Sequence, residues 1–480
     1  MTLRALPMTL ILLAACVTAP EVKRPQIDFT LPDRFREGLT STDAVEDEWW
    51  RSFGDSRLEK VVDEVLANNH DLRAAAARIQ AADAQARIIG ADWLPQAGAG
   101  LEAGRSRQNF IGLPIPGADP VLSSRSNRMG LSLDLSWEID LWGRIRSAQE
   151  GALADVEAAL ADLVAARLSL IGQAMKAWFA AAEARKQVDL AEETLQSRRS
   201  TTEWARGRYQ GGVGSPTELR LFISQEAAAE AVLRLREQQL DALLRQLEIL
   251  MGRYPSADLI AGDDLPAIPK AIPAGLPADL IARRPDLVAA ERRVAAEEAR
   301  VASSRAALYP RISLTSSTGT ASEQLRHLVD GRFWIWNLMA NLMQPIFQGG
   351  RLVAQLDQSK ARSHEALAGF LGTALGAYGE VESALSAIDH LGRREEALAR
   401  SAESAREARR LATVRYTSGL EGANVLLESQ RATLLSESLL LTARRERVEA
   451  RINLHLALGG GFKPLTEAEK SVEVKGDTER

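Results

Sequence analysis

The side chains best able to do chemistry in this chain are few and scattered. Its five histidines show no metal-ligand spacing, and the sequence contains no serine–histidine–aspartate set, phosphate-binding loop or dinucleotide motif. The pair Gly349-Gly350 lies between a predicted strand and a predicted helix and does not form a phosphate loop. The sequence therefore predicts a protein that is not an enzyme and that has no metal site and no cofactor. The histidines are His70, His327, His364, His390 and His455.

The only cysteine, Cys16, follows a short apolar segment. The run from Ala5 to Leu13 is too short to span a bilayer and is typical of a secretory signal. It ends in Leu-Ala-Ala-Cys, which resembles the lipobox of bacterial lipoproteins. We therefore predict a signal peptide at 1–15, a covalent lipid on Cys16 and a lipidated tether at 16–54, the alternative being an incidental cysteine. Val17 follows rather than aspartate, which by resemblance to lipoprotein sorting favours the outer membrane.

Composition and charge narrow the classes of protein further. The formal net charge is −5 with both signs mixed along the chain, whereas a nucleic-acid surface needs a basic stripe. The aromatic content of 5% and the abundance of Ala, Leu, Glu and Arg favour long helices over compact globules. Beyond the amino terminus we expect no membrane-spanning helix, so that strands make any crossing.

The chain repeats a helical hairpin at an offset of 207 residues. Residues 208–219, here the first tip, begin Arg-Tyr-Gln-Gly-Gly, and residues 415–426, the second tip, begin Arg-Tyr-Thr-Ser-Gly. The glycines suit the left-handed conformation that ends a helix before the chain reverses. No proline lies between Gly143 and Val213, which permits one helix of about 65 residues and roughly 100 Å. The sequence therefore predicts an internally duplicated chain.

Each repeat also contains segments in which apolar and polar residues alternate. From Arg128 to Glu138 the odd positions are apolar and the even positions are polar or glycine. Alternation over about ten residues is typical of a transmembrane strand, the alternative being an ordinary half-buried sheet. The second repeat alternates over 311–318 and again over 334–342. Four strands cannot close a barrel around a channel, so closure predicts an oligomer, and three chains would supply about twelve strands.

These patterns predict a mainly α-helical fold with a small transmembrane β part. The predicted domains are the signal peptide (1–15), the tether (16–54), the first structural repeat (55–252), a proline-rich equatorial linker (253–285), the second structural repeat (286–461) and a C-terminal tail (462–480). The first repeat contains a helix, a β-hairpin at about 96–138, a long helix at 143–208 and a return helix at 217–251. The second contains a helix, a β-hairpin at about 311–344, a long helix at 350–416 and a return helix at 424–458.

Several short motifs are specific when they occur together. They are Leu280-Ile281-Ala282-Arg283-Arg284-Pro285-Asp286-Leu287, Tyr309-Pro310, the Arg-Tyr of both tips, Leu426-Leu427-Glu428-Ser429-Gln430-Arg431 and Ala457-Leu458-Gly459-Gly460-Gly461. In this combination, over residues 45–462, the chain resembles the outer-membrane efflux proteins (outer membrane factors), a family that includes TolC and OprM, and most of all their NodT group of lipoproteins.

The resemblance implies a function and an assembly. The homotrimer would form a 12-stranded β-barrel continued by a 12-helix periplasmic α-barrel, in the outer membrane of a Gram-negative bacterium. It would passively conduct substrates from a periplasmic adaptor and an inner-membrane pump of the RND type to the exterior. A duct for type I protein secretion would use the same fold and stays open as an alternative. A structural periplasmic coiled-coil lipoprotein is a further alternative, although it needs neither alternating segments nor duplicated hairpins.

The resemblance also implies roles for residues near the tips. The residues that close the periplasmic end correspond here to Thr217, Glu218, Tyr416, Glu428 and Arg431, with Glu428 of three protomers forming a ring. Glu428 and Arg431 are three residues apart on one helix, so the alternative is an ordinary solvated pair.

The second tip departs from the pattern of TolC-like chains at one position. Those chains have an arginine two residues past the second tip glycine, whereas this chain has Glu421. With Glu421 in place of that arginine, we expect the periplasmic end to be closed by the Glu428 ring and by a contact between Tyr416 and Glu218. The tips are also the expected adaptor-docking end, the alternative being plain hairpin caps. The docking residues would be Arg208, Tyr209, Gly212, Arg415, Tyr416 and Gly419.

Overall fold

The computed structural model describes most of both repeats. The described residues are 35–36, 48–110, 122–260, 262, 264–266 and 283–460. The predicted signal peptide, Cys16, most of the tether, much of the linker and the C-terminal tail lie outside the described residues.

Apart from one additional helix at the start of the first repeat, the described helices and strands follow the same order in both repeats. They are α1 (Ser56–Asn68), α2 (His70–Ala91), β1 (Gln96–Phe110), β2 (Leu122–Ile139), α3 (Arg144–Gln210), α4 (Pro216–Leu250), α5 (Pro285–Ala306), β3 (Arg311–Ser322), β4 (Trp334–Met343), α6 (Arg351–Thr417) and α7 (Ala423–Ala457). The duplication extends to helix length, since α3 and α6 both have 67 residues and α4 and α7 both have 35. The prediction of a mainly helical, internally duplicated fold with a small β part is confirmed.

Two local features differ from the sequence-based expectation. The helical pattern that begins near Asp55 is divided at Asn69, whose backbone is extended. The Asn69 side chain accepts from the backbone N–H of Asp71 at 2.8 Å and donates to the Leu250 carbonyl at 3.0 Å, so it starts α2 while contacting the end of α4. Strand β2 begins at Leu122, before the alternating segment, because the backbone ladder with β1 continues through polar residues.

The chain forms two compact units. The strand unit contains the described residues within Gln80–Ala158 and Glu291–Gly369, and the helical unit contains those within Ile27–Ile79, Ala159–Ala290 and Phe370–Arg480. In the strand unit the four strands form an antiparallel sheet in the order β1-β2-β3-β4.

The register of the sheet separates apolar from polar side chains. Leu133 of β2 pairs with Ala99 of β1 and with Thr318 of β3, which in turn pairs with Trp336 of β4. Side chains that pair directly across strands share a face, so the apolar odd positions of β2 lie on the same face as Trp334, Trp336 and Leu338 of β4, with β3 between them. The opposite face, here the polar face, carries mostly Gly, Ser and Asn with a few charged residues, although β4 adds Ile335, Met339 and Met343 to it. Gly319 allows the strands to approach closely, because a Cβ there would lie 1.9 Å from the Leu131 carbonyl oxygen.

In the helical unit the largest apolar cluster joins α1, α3, α4 and α7. It is built around Trp178 and Phe179 of α3, both fully buried, with Val62, Leu247 and Ile452 against them. The Trp178 indole donates to the Asp55 carboxylate at 2.9 Å. That carboxylate also accepts backbone N–H bonds at the start of α1, so the same aspartate caps α1 and satisfies a buried indole.

Arg284 explains part of the motif Arg-Arg-Pro-Asp that precedes α5. This guanidinium is buried and donates to Asp286 at 2.7 Å and to Glu380 of α6 at 2.6 Å. It also donates to the Ala457 carbonyl at 3.2 Å, one of the carbonyls that a helix leaves free at its C-terminus. One arginine therefore joins the start of α5, the middle of α6 and the end of α7.

One helix departs from the expectation that no helix is long and apolar enough to cross a membrane. By length and composition, α3 contains a window apolar enough to do so, although 44% of that window is buried inside the protein. Part of α3 packs in the apolar core of the helical unit. The alanine-rich face of α3 indeed contributes Ala181, Ala184 and Val188 to a buried cluster with Leu240 and Leu244 of α4.

Candidate functional site

The first and second tips share one backbone geometry. Gly212 and Gly419 adopt φ values of +76° and +74°, which L-residues with side chains rarely adopt. In the first tip the Val213 N–H donates to the Arg208 carbonyl at 3.0 Å, and the equivalent bond in the second tip is 2.9 Å. These bonds satisfy carbonyls that the end of a long helix would otherwise leave free.

Tyr416 of the second tip is buried against residues of the first repeat. Its ring centroid lies 4.7 Å from that of Trp204 and 5.7 Å from that of Phe222, and only 1% of the residue is exposed. Its hydroxyl donates a hydrogen bond to the Glu218 carboxylate. Burial, followed by the hydrogen bond and the negative charge of Glu218, raises the pKa of Tyr416, while Arg208 acts in the opposite direction. The contact joins the second tip to the start of α4.

The remaining gate candidates lie at the surface of the helical unit. Glu428 and Arg431 form an ion pair of 3.0 Å with side chains that are 66% and 76% exposed. Thr217 is exposed in the first turn of α4, where its backbone N–H donates to the Ser215 hydroxyl at 3.3 Å. The structure thus brings the gate candidates together as two pairs, Tyr416 with Glu218 and Glu428 with Arg431.

Glu421, which stands where the related chains have an arginine, forms an ion pair with a residue of its own tip. Its carboxylate accepts from the Arg415 guanidinium at 3.0 Å. An arginine at this position could not make that contact. The acidic residue therefore holds a predicted docking residue, Arg415, against the second tip.

The docking candidates differ in accessibility. Tyr209 is 46% exposed, and Arg208 stacks over the Trp204 ring with its guanidinium carbon 4.8 Å from the centroid. Tyr416 occupies the equivalent position in the second tip, but its side chain is enclosed and presents no surface to a partner. Sequence identity at the two positions did not indicate this difference.

The sequence analysis did not predict a buried polar contact between α3 and α7, near the tips. Arg198 of α3 donates to the Gln430 side chain of α7, and both residues are buried. Burial lowers the pKa of Arg198. Gln430 lies in the motif 426–431, which the sequence analysis used only for its resemblance. A glutamine on the buried side of a helix was the available signal for this contact.

The histidine of α7 belongs to the core. His455 stacks on Trp49 with centroids 4.5 Å apart, and burial together with the charge of Arg451 lowers its pKa to about 3. The imidazole is therefore neutral at physiological pH. Among the residues that the structure describes, no group of three or more His, Cys, Asp or Glu side chains could hold a metal ion.

The chain is similar to known proteins over nearly its whole length. Residues 61–253 and 276–460 match the family described as outer membrane efflux protein. The outer membrane protein OprJ of Pseudomonas aeruginosa is 35% identical over 455 residues, which cover 94% of each chain. The probable efflux pump outer membrane protein TtgC of Pseudomonas putida is 30% identical over 471 residues, 96% of each chain. The solved open state of the MtrE outer membrane channel of Neisseria gonorrhoeae is 30% identical, with a TM-score of 0.82 over 94% of this chain and 100% of that one.

Proposed function

Because this chain belongs to the outer membrane efflux protein family and is an outer-membrane channel rather than an enzyme, we propose that it serves a tripartite efflux system of the RND type. In that role it receives substrates from a periplasmic adaptor and an inner-membrane pump and conducts them passively to the exterior. The observation that carries the proposal is the full-length similarity to TtgC, named as an efflux pump component, which extends through both repeats.

Deletion of the gene and complementation test this role. Loss of the chain should increase accumulation of a fluorescent efflux dye and sensitivity to several unrelated antibiotics, and wild-type chain should restore both. A deletion strain that exports dyes normally but fails to secrete one polypeptide would favour type I secretion instead.

We propose a trimer as the conducting form. The sheet ends in two strands, β1 and β4, that each pair on one side only within the described residues. Unpaired edges in a membrane leave backbone groups without partners, and pairing β1 of one chain with β4 of the next removes them. Native mass spectrometry of the detergent-solubilised protein should give the mass of three chains; a mass of one or two chains would contradict the proposal.

Cys16 is proposed to anchor the chain through a covalent lipid, as in the NodT group of lipoproteins. The support is the Leu-Ala-Ala-Cys sequence after a short apolar run. Metabolic labelling with a fatty acid should mark wild type, and the variant Cys16→Ser should remain unlabelled. Persistent labelling of the variant would place the lipid elsewhere.

Tyr416, Glu218, Glu428, Arg431 and Thr217 are proposed to hold the periplasmic end closed. The support is the partly buried hydrogen bond from Tyr416 to Glu218, since it joins the two hairpins of one protomer. Three Glu428 carboxylates brought together would repel one another unless cations or Arg431 lie nearby. The double variant Tyr416→Phe with Arg431→Ser should raise single-channel conductance in planar bilayers. Unchanged conductance with trimer assembly intact would remove these residues from the gate.

The tips are proposed to dock the adaptor. Gln210 and Thr417 occupy equivalent positions in the two tips and are both exposed. A photo-crosslinker at either position should capture the adaptor in living cells. A crosslinker at the exposed Gln238, far along α4 from the first tip, would serve as the control outside the tips. Capture at the control position alone would place docking away from the tips.

A further inference from the structure

Most charged side chains on the polar face of the sheet have an oppositely charged neighbour. Glu102 of β1 and Arg128 of β2 are paired across the strands at 4.0 Å. At the other end of β2, Glu138 pairs with Arg144 at 3.0 Å. Asp134 lies between these two pairs, and its recorded partners in the described chain are the hydroxyls of Ser132 and Ser317. Among the residues that the structure describes, the Asp134 carboxylate is therefore not balanced by a neighbouring cation.

The positive charges of this face are too far along the strands to compensate Asp134. Arg128 is six residues away on β2, which corresponds to about 20 Å. Arg311 on β3 is equally far from Ser317, the residue that pairs with Asp134. At physiological ionic strength the Debye length is about 8 Å, so both charges are largely screened at the level of Asp134.

The sheet holds the Asp134 carboxylate in place and leaves it uncovered. The Ser132 hydroxyl donates to it at 2.8 Å, and Ser317 of the next strand forms a second hydrogen bond. On the other side Asp134 pairs with Gly98, and the neighbouring Gly100 has no side chain to cover the carboxylate. A Cβ at Gly100 would lie 2.9 Å from the Ser132 hydroxyl and 3.9 Å from the carboxylate. Neutral donors thus fix the position of the charge without cancelling it.

We propose that Asp134 determines the charge selectivity of the strand segment and favours cationic over anionic solutes. The inference rests on the proposed function, because the polar face lines the conducting path when the sheet closes into a barrel. A trimer then brings three carboxylates to one level, and rings of charged side chains select ions by sign. The compensated pairs Glu102–Arg128 and Glu138–Arg144 contribute little to this preference.

Reversal potentials in planar bilayers with a potassium chloride gradient test the assignment. The wild-type channel should prefer potassium over chloride, and Asp134→Asn should lower the permeability ratio roughly threefold. Asp134→Glu keeps the charge and should restore the ratio. The matched control is the double variant Glu102→Gln with Arg128→Gln, which removes a neutral pair at the same face and should leave the ratio unchanged.

The possible outcomes distinguish failure of the Asp134 proposal from failure of the proposed channel function. Conducting channels in which Asp134→Asn keeps the wild-type ratio would contradict the role of Asp134 alone. A ratio that falls in the control pair but not in Asp134→Asn would assign selectivity to that pair. Purified trimers that never conduct would contradict the proposed channel itself.

Discussion

The two hairpin tips have the same backbone but different surroundings. Tyr209 and Tyr416 occupy equivalent positions 207 residues apart, yet Tyr209 is 46% exposed and Tyr416 only 1%. The second tip places its tyrosine between Trp204 and Phe222 of the first repeat. Nothing equivalent encloses Tyr209 in the described residues of one chain.

The difference originates in the return helices that follow the tips. At the start of α4, Glu218 and Phe222 provide a carboxylate and an aromatic ring for Tyr416. The equivalent positions at the start of α7 are Val425 and Ser429, which provide neither. Both repeats therefore have the tyrosine, whereas only the first repeat has a carboxylate, that of Glu218, at the position that accepts its hydrogen bond. The asymmetry confines the tyrosine–carboxylate contact to one of the two tips.

The largest expected effect comes from removing the two tyrosines separately. Tyr416→Ala removes a buried ring and should lower the free energy of local opening at the tips by about 3–5 kcal/mol. Tyr209→Ala removes an exposed side chain and should change it by less than about 0.5 kcal/mol. Hydrogen–deuterium exchange of the tip amides measures both. Similar effects of the two variants would show that the environments of the two tyrosines are equivalent in the assembled protein.

Alkaline titration measures the contribution of the Tyr416 hydroxyl separately from that of its ring. The folded protein raises the pKa of Tyr416, chiefly by burial and then by the hydrogen bond to Glu218. The neutral tyrosine therefore stabilises the fold fully below the unfolded-state pKa of about 10, and this contribution is lost as the pH rises through the folded-state pKa. A hydrogen bond to a charged group contributes about 1.5–3 kcal/mol to the free energy of unfolding.

The variant Tyr416→Phe isolates this contribution. Below pH 10 its melting temperature should be lower than that of wild type, and the difference should shrink as the pH rises above about 10. Circular dichroism melts of both proteins over the same pH series provide the measurement. A difference that stays constant into strong alkali would mean that the hydroxyl does not ionise in this range or contributes nothing through its bond.

A smaller effect is expected from the cap of α4. The Ser215 hydroxyl accepts from the Thr217 N–H at the start of α4, whereas Gly422 at the equivalent position before α7 makes no side-chain cap bond. Ser215→Ala should cost about 1 kcal/mol of local stability in the first tip. Ser224→Ala, at an exposed position within the same helix, is the control. An equal response of the two serines in amide exchange would argue against a capping role.

The sequence predicted the repeated architecture well because its signals are local. The glycines at 212 and 419 need a left-handed backbone, and prolines are absent from the long helices, so the tips could be located from the chain alone. The resemblance indicated the contact of Tyr416 with Glu218, but the packing of its ring between Trp204 and Phe222 could not be predicted, because it depends on residues about 200 positions earlier in the other repeat. The break at Asn69 was missed for a similar reason, since its side chain donates to Leu250 at the end of α4.

The smallest expected effect tests whether the second tip tolerates the cap of the first. Gly422 has φ −82° and ψ 158°, an extended backbone that serine adopts readily, and a Cβ there would meet nothing within 4 Å. Gly422→Ser should therefore supply the missing cap and raise the local stability of the second tip by roughly 0.3 kcal/mol. Amide exchange at the first turn of α7 measures the gain, and Gly422→Ala, which supplies a Cβ without a hydroxyl, is the matched control. If serine destabilises this turn as much as alanine does, the missing cap is not what distinguishes the start of α7 from that of α4.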